Sequence, residues 1–134
     1  MQTPGARIEH LAVWTPDLER LAAFYAAYFG GELGPRYENA AKGFASRFVR
    51  LGDGARLELM TTTALTPTPA SPGEQRMGLT HVALSLGSVA AVDALTARLR
   101  AAGHAVLDGP RWTGDGYYES VVLDPDGNRI ELTV

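Results

Sequence analysis

At residues 124–131 the chain has the sequence DPDGNRIE. Asp, Pro, Gly and Asn favour tight turns, so the first four residues predict a turn between two strands. The strand before the turn is predicted at Tyr117–Leu123, and the strand after it at Asn128–Val134. This hairpin ends in a strand that carries Glu131.

A second hairpin is predicted in the first half of the chain. There, Gly52-Asp53-Gly54 separates an apolar run at Phe44–Leu51 from another at Ala55–Met60, which carries Glu58. Internal repetition fixes architecture better than any single motif does. The repeated hairpin therefore predicts two related modules.

A histidine precedes each glutamate at a nearly constant distance. His10 lies 48 residues before Glu58, and His81 lies 50 residues before Glu131. All four residues lie in runs that are predicted to be strands, and a helix is predicted after each histidine. The sequence therefore predicts an α+β fold of two tandem βαβββ modules, which form a curved mixed sheet around a metal site.

The two modules are predicted to form one domain over residues 1–134. Module one covers residues 6–62 and module two covers residues 78–134. The segment 63–77 is rich in Thr, Pro, Ala and Ser without periodicity, which predicts a linker. A module of half this length would bury too little apolar surface to be stable alone.

Capping residues predict the ends of both helices. Thr15 is the predicted N-cap of the first helix, Pro16 occupies its first position, and Gly30 ends it. In the second helix Ser88 is the predicted N-cap and Gly103 follows the end. The positions predicted to pack on the sheet are Leu18, Leu21, Ala22, Tyr25 and Phe29 in the first helix, and Val92, Leu95 and Leu99 in the second.

Strand alternation separates the apolar side chains from the histidines and glutamates. Side chains two residues apart in a strand share a face. This predicts that Glu58 and Glu131 point away from the helices, as the lining of a cavity would require. The predicted helix-facing residues of the same strands are Leu57, Leu59, Ile130 and Leu132.

Composition excludes several classes of protein. The net charge of −3 and the absence of a basic run with interleaved aromatic residues argue against nucleic-acid binding. No apolar stretch has membrane-spanning length, and the first residues lack the layout of a signal peptide, so a cytoplasmic protein without membrane contact is expected. The chain has no cysteine, so nitrogen and oxygen must hold any metal.

The four repeated side chains predict a metal centre. A single strand histidine is more often a satisfied polar residue than a ligand, but matching His and Glu positions in two modules favour a shared site. His10, Glu58, His81 and Glu131 would offer two imidazoles and two carboxylates. Such a set suits one divalent ion, namely Zn, Ni, Mn, Co or Fe.

With these ligand positions and the DPDGNRIE ending, the chain resembles the vicinal oxygen chelate superfamily over nearly its whole length. That superfamily contains glyoxalase I, methylmalonyl-CoA epimerases, extradiol dioxygenases, fosfomycin-modifying transferases and bleomycin-binding proteins. The resemblance implies the paired-module fold more strongly than any reaction. It also implies a small-molecule substrate and a homodimer, whose sites can combine ligands from both subunits.

The number of ligands favours one branch of this superfamily. Extradiol dioxygenases and fosfomycin transferases resemble a pattern that would use only His10, His81 and Glu131. With Glu58 the set is most similar to that of glyoxalase I. This implies proton abstraction beside a carbonyl through an enediolate on the metal, with Glu131 as the first choice of base and Glu58 as the second.

Two positions depart from the glyoxalase I pattern. That enzyme usually has an Arg four residues after its first His and an Asn four residues after its first Glu, both of which serve glutathione. Here the positions hold Trp14 and Thr62, which argues against glutathione dependence. Trp14 shares the predicted face of His10, so it can line an apolar pocket or lie at its rim.

The stretch TGDGYYES at residues 113–120 allows two interpretations. Its glycines predict an ordinary turn that leads into a strand. Alternatively, the loop is a lid that closes over substrate, with Trp112, Tyr117 and Tyr118 as further pocket residues.

Two other functions are compatible with the same fold. The aromatic residues would suit a protein that sequesters a planar or antibiotic-type ligand. An iron-dependent extradiol-type dioxygenase is the third possibility. No nucleotide-binding loop and no Gly-x-Ser-x-Gly elbow is present, which excludes the corresponding hydride-transfer and serine-hydrolase interpretations.

Overall fold

The computed structural model describes residue 2 and residues 4–67 and 74–134. The chain falls into two compact units, Met1–Pro67 and Thr68–Val134. The boundary between them lies within the predicted linker, of which residues 68–73 lie outside the described residues.

The first unit is one helix on a mixed sheet. The sheet order is β1-β5-β4-β2, and β3 also pairs with β4. Strand β1 runs parallel to β5, whereas the other pairs are antiparallel. A 3-10 turn at Ala40–Lys42 joins β3 to β4. The elements are β1 (His10–Trp14), α1 (Leu18–Phe29), β2 (Glu32–Leu33), β3 (Tyr37–Asn39), β4 (Phe44–Arg50) and β5 (Arg56–Thr62).

The second unit repeats this plan with fewer strands. Its sheet order is β6-β9-β8-β7, with β6 parallel to β9 and the other pairs antiparallel. The predicted α+β fold of two βαβββ modules is therefore confirmed. His81 lies one residue before β6, so the prediction that this strand includes it is wrong. The elements are β6 (Val82–Ser85), α2 (Val89–Ala101), β7 (Val106–Trp112), β8 (Tyr118–Leu123) and β9 (Arg129–Thr133).

The first helix begins later than predicted. Its N-cap is Asp17, whose carboxylate accepts a hydrogen bond of 3.1 Å from the backbone of Arg20. Thr15 is buried instead. Its backbone NH donates to the carbonyl of Met60 at 2.8 Å, which continues the β1–β5 pairing past the end of β1. The prediction of Thr15 as N-cap and Pro16 as the first helical residue is wrong.

The other helix ends agree with prediction. Gly30 follows α1 in the left-handed conformation, with φ 63°. Ser88 caps α2 by accepting a hydrogen bond of 3.1 Å from the backbone of Ala91, and Gly103 lies just beyond its C-cap. Within residues 4–67 and 74–134, no helix is long and apolar enough to span a membrane.

Each helix packs on one face of its own sheet. Leu59 is 0% exposed beneath α1, and Ile130 and Leu132 are 0% exposed in module two. Strand alternation then places Glu58 and Glu131 each on the sheet face that points away from the helix of its own module, as predicted. Of the helix residues predicted to pack on the sheet, only Phe29 is not fully buried. Phe24, which was not predicted, is buried as well. The remaining buried residues are Leu18, Leu21, Ala22 and Tyr25 in α1, and Val92, Leu95 and Leu99 in α2.

A buried aspartate holds the turn between β8 and β9. The carboxylate of Asp124, 4% exposed, accepts hydrogen bonds from the backbone NH groups of Asp126 (3.0 Å) and Asn128 (2.9 Å). It also accepts from the Asn128 side chain at 2.9 Å. Three bonds to one charged group fix the turn and hence the start of the strand that carries Glu131.

Replacing Asp124 with alanine is expected to lower the free energy of unfolding by about 3 kcal/mol, because buried donors lose a charged acceptor. Urea denaturation measures this change. Asp53→Ala, in the exposed turn between β4 and β5, is the matched control, with an expected change within about 0.5 kcal/mol. Equal effects of the two substitutions would show that the Asp124 network does not stabilise the fold.

Candidate metal centre

In module two the structure brings His81 and Glu131 into contact. Strand β6 lies beside β9 with Ala83 aligned to Glu131, so His81 approaches from two residues earlier on the same face. The imidazole Nε2 is 3.1 Å from the carboxylate Oε2 of Glu131. The two side chains are 37% and 19% exposed, so the pair remains accessible from solvent.

A third ionisable group, Glu119, lies next to this pair. Its position opposite Thr133 in the β8–β9 pairing makes it a diagonal neighbour of Glu131 on the same face. Its carboxyl group hydrogen-bonds to that of Glu131. Sequence reasoning did not single out Glu119, although the tight turn at residues 124–128 sets the strand register that would have placed it.

This contact changes the acidity of Glu119. The hydrogen bond to Glu131, then burial, then the negative charge of Glu131 raise the pKa of Glu119 from 4.5 to about 7. Since two neighbouring carboxylates cannot easily both ionise, they share one proton. Between pH 4.5 and about 7, the folded protein therefore keeps a proton on Glu119 that the unfolded chain has lost.

The free energy of unfolding of chelator-treated protein is expected to fall as the pH rises from about 5 to about 7.5. An acid whose pKa is higher in the folded state than in the unfolded state stabilises the fold fully at a pH below its unfolded-state pKa. This stabilisation is lost as the pH rises through its folded-state pKa. Urea denaturation at a series of pH values measures it. Glu119→Gln should flatten the slope, because the amide keeps the donor without titrating. The same slope in both proteins would refute this assignment.

In module one the corresponding histidine is held by its neighbour. Nδ1 of His10 forms a hydrogen bond with the carboxylate of Glu9. A neutral imidazole that donates from Nδ1 carries its lone pair on Nε2. The His10 and Phe48 rings also form an edge-to-face contact, with a centroid distance of 5.7 Å. Phe48 is paired with Glu58 in the sheet, so His10 and Glu58 both border this ring on the same face.

Arg56 completes the surroundings of His10. Its guanidinium lies 4.1 Å from the centre of the Phe48 ring and forms an ion pair with Glu9. Hydrogen bonds from His10 and Arg56 lower the pKa of Glu9 below its usual value. Glu9 is therefore an ionised acceptor that orients the imidazole.

The two donors of module two, His81 and Glu131, are spaced as two ligands of one divalent ion would be. Two ligands held about 2.1 Å from one ion at a right angle lie about 3.0 Å apart, close to the 3.1 Å between His81 and Glu131. In module one, the Glu9–His10 contact is the carboxylate support that metal-binding imidazoles commonly have. In the part of the chain that the structure describes, no group of three or more His, Asp or Glu side chains has the arrangement of a metal site, the neighbouring His81, Glu131 and Glu119 included. The joint set of four ligands remains a prediction.

The predicted pocket residues do not all lie on the ligand face. Trp14, 49% exposed, lies on the same face as His10 and Glu58. Tyr118 lies on the helix-bearing face of module two, where its hydroxyl donates to Asp93 of α2.

Trp112 is paired with Tyr118 and contacts its ring at 5.1 Å. Strand parity explains this placement: Tyr118 and Ser120 alternate with Glu119, and Ser120 is paired with Leu132 beneath α2. Within module two, Trp112 and Tyr118 therefore lie on the face opposite Glu131, and their assignment to the substrate pocket stays a prediction.

The loop after β7 is a hydrogen-bonded turn. Thr113 donates from its backbone to the carbonyl of Tyr117 at 2.7 Å, and its hydroxyl accepts from the Tyr117 backbone at 3.0 Å. The Thr113 hydroxyl also contacts Asp115. These bonds favour the turn interpretation over the lid. Tyr117 itself is 57% exposed just before β8.

Comparison with known families agrees with the fold. The model of the Glyoxalase/Bleomycin resistance protein/Dioxygenase superfamily matches residues 7–132. The chain therefore belongs to this superfamily, which is the resemblance inferred above.

Individual relatives are less informative about the reaction. A Bacillus subtilis (strain 168) protein described as the uncharacterized protein YqjT is 30% identical over 130 residues, 93% of this chain and 96% of the relative. A glyoxylase/bleomycin resistance protein/dioxygenase domain from Frankia sp. EAN1pec has a TM-score of 0.81 at 18% identity, covering 97% of this chain and 92% of that one. The trypanothione-dependent glyoxalase I of Leishmania major has a TM-score of 0.75 at 22% identity, with coverages of 96% and 86%. At such identities these structures establish the fold alone.

Proposed function

We propose that this chain is a divalent-metal-dependent lyase or isomerase of glyoxalase type. It would move a proton from the carbon beside a carbonyl group to the carbonyl carbon itself. The observation that carries the proposal is the His81–Glu131 contact, with Glu119 beside it, on the face opposite the helix. His10 and Glu58 occupy the duplicated positions in module one. We further propose that all four side chains hold one ion, in a homodimer.

The chain's own residues would divide the work. His10, His81, Glu58 and Glu131 would hold the ion, which when bound acts as a Lewis acid on the substrate oxygens. Glu131 would take the proton from the carbon and return it to the neighbouring carbon. Glu119, hydrogen-bonded to Glu131, would keep that carboxylate in place.

A hemithioacetal of a 2-oxoaldehyde is the substrate class that this chemistry fits. The C–H proton leaves the carbon bearing the hydroxyl and the sulfur, and a proton is added to the former carbonyl carbon. The product is a 2-hydroxy thioester, so neither an oxidant nor a reductant is consumed. Trp14 and Thr62 support a thiol other than glutathione.

The test is an NMR assay in D₂O. Hemithioacetals formed from methylglyoxal with glutathione or with 2-mercaptoethanol are incubated with protein loaded with Zn, Ni, Mn, Co or Fe. We expect metal-dependent thioester formation that does not require glutathione. Absence of turnover with all of these metals and thiols would refute the proposed function and would not affect the assignment of the fold.

A second candidate function is sequestration of a planar small molecule in the same face. The exposed side chains of Trp14 and Tyr37, which both contact Phe44, favour it, because contiguous exposed apolar patches commonly mark binding sites. Tight binding of an aromatic ligand without metal and without turnover would support sequestration instead of catalysis.

A further inference from the structure

Module one has an aromatic cluster on the face that carries Glu58. Phe44 of β4 contacts Trp14 of β1 edge-to-face, with ring centroids 6.3 Å apart at 89°. Phe44 also contacts Tyr37 of β3, at 6.2 Å and 61°. Three strands therefore contribute one continuous aromatic surface, which we call the aromatic wall (Trp14, Tyr37 and Phe44).

Strand register places this wall beside Glu58. Trp14 is aligned with Met60 in the β1–β5 pairing, and Phe44 is paired with Thr62. Met60 and Thr62 follow Glu58 along the same face of β5, and two residues of strand span about 6.6 Å. The wall therefore begins one row of side chains beyond the carboxylate.

The wall is exposed although its rings are apolar. Trp14 is 49% and Tyr37 is 56% exposed, whereas the helix-facing residues of the same sheet are buried. Phe44 also lines a cleft of about 450 Å³, together with Thr61, Thr62 and Thr63. The volume falls in the range of small-molecule sites. Phe44 is the member of the aromatic wall that lines this cleft, beside polar residues that include Arg36 and Glu38.

The charges around the wall disfavour an anionic ligand. Arg36, at the cleft, forms ion pairs with Glu38 (2.6 Å) and Glu19 (2.8 Å). Arg56, near Glu58, is paired with Glu9. Since both cations already bind carboxylates, a neutral planar group is the better match for this surface.

We propose that Trp14, Tyr37 and Phe44 select the substrate by receiving a neutral aromatic substituent, while the reacting carbons lie at Glu58 and its partner ligands. This inference rests on the proposed function, and it names the part of the substrate that the protein distinguishes. Ring-on-ring contact contributes about 0.5–1.5 kcal/mol beyond the burial of apolar area.

Two hydroxamates test the proposal. Acetohydroxamate and benzohydroxamate chelate metal ions through the same two oxygens and differ in a phenyl ring. Calorimetry on metal-loaded protein should give at least about tenfold tighter binding of benzohydroxamate. Trp14→Leu and Phe44→Leu should each remove most of that preference and leave acetohydroxamate unchanged. Tyr28→Leu, on α1 behind the sheet, is the matched control that keeps it.

A second measurement needs no metal. The chain has two tryptophans, so Trp112→Phe leaves Trp14 as the sole tryptophan fluorophore. Saturable quenching by 4-nitrobenzyl alcohol, weakened by the added Phe44→Leu substitution, supports the wall, whereas purely collisional quenching overturns it. Equal affinity for both hydroxamates also overturns the wall but not the proposed function. If neither hydroxamate binds, the proposed function fails, and the fluorescence result alone then decides whether the aromatic wall binds an aromatic group.

Discussion

Replacing Glu131 with glutamine is expected to lower the turnover of a hemithioacetal by about 10²- to 10⁴-fold, because the amide cannot accept the substrate proton. The amide oxygen can still bind the His81 imidazole, so the fold should be retained. Progress curves by NMR, together with circular dichroism of the purified variant, measure both properties. Glu32→Gln, an exposed carboxylate on the edge strand β2, is the control that should retain full activity.

The comparison with Glu58→Gln identifies the base. Glu131 is expected to be the base because it contacts both His81 and Glu119, which hold its carboxylate in one orientation. Glu58→Gln should then cause the smaller loss of turnover. A larger loss from Glu58→Gln would assign the base to module one, and unchanged turnover in both variants would contradict base catalysis by either residue.

Replacing His81 with alanine is expected to weaken metal affinity by more than about 100-fold, the upper end of the loss on removing an outer-shell partner. The substitution removes a nitrogen donor 3.1 Å from Glu131 and leaves only one of the two paired donors. Competition with a chromophoric chelator measures the affinity. His10→Ala should cause a loss of the same order if both modules supply ligands.

The third histidine of the chain provides the control for these substitutions. His104 lies between α2 and β7 and is not one of the predicted ligands, so His104→Ala should bind metal as the unmodified protein does. Wild-type affinity in His81→Ala would contradict the proposed ligand set. A loss confined to His81→Ala would restrict the site to module two.

The fold was predictable because its signals are local. The turn residues at 124–128 and 52–54 specify hairpins, and their strands occur close to the predicted bounds. The helix start was not predictable from capping preference alone. Thr15 and Asp17 are both good N-caps, and the backbone bond from Thr15 to Met60 decides between them.

The site was predictable only in part, because contacts across strands depend on register. His81 and Glu131 could be selected from the repeat, and they are in contact. Glu119 was missed because its closeness to Glu131 exists only once β8 and β9 are paired. Trp112 and Tyr118 were predicted as pocket residues because they are aromatic and flank the glycine-containing loop, whereas parity with Ser120 places them on the helix-bearing face of their own module.

The ion pairs in module one lay beyond sequence reasoning. Glu9 and His10 are adjacent in the sequence, and strict strand alternation would place their side chains on opposite faces. Because Glu9 precedes the first residue of β1, its side chain can reach both His10 and Arg56. Long flexible side chains at a strand end are not bound by the alternation that holds within the strand.

Metal back-titration tests the central claim most directly. Chelator-treated protein is incubated in D₂O with the hemithioacetal that it turns over, and deuterium incorporation next to the carbonyl is followed as metal is added. We expect no exchange above the uncatalysed rate without metal, and a linear rise that ends at one equivalent of metal per four-ligand site. Exchange that is equally fast without metal, or that never rises above the uncatalysed rate, would contradict the account.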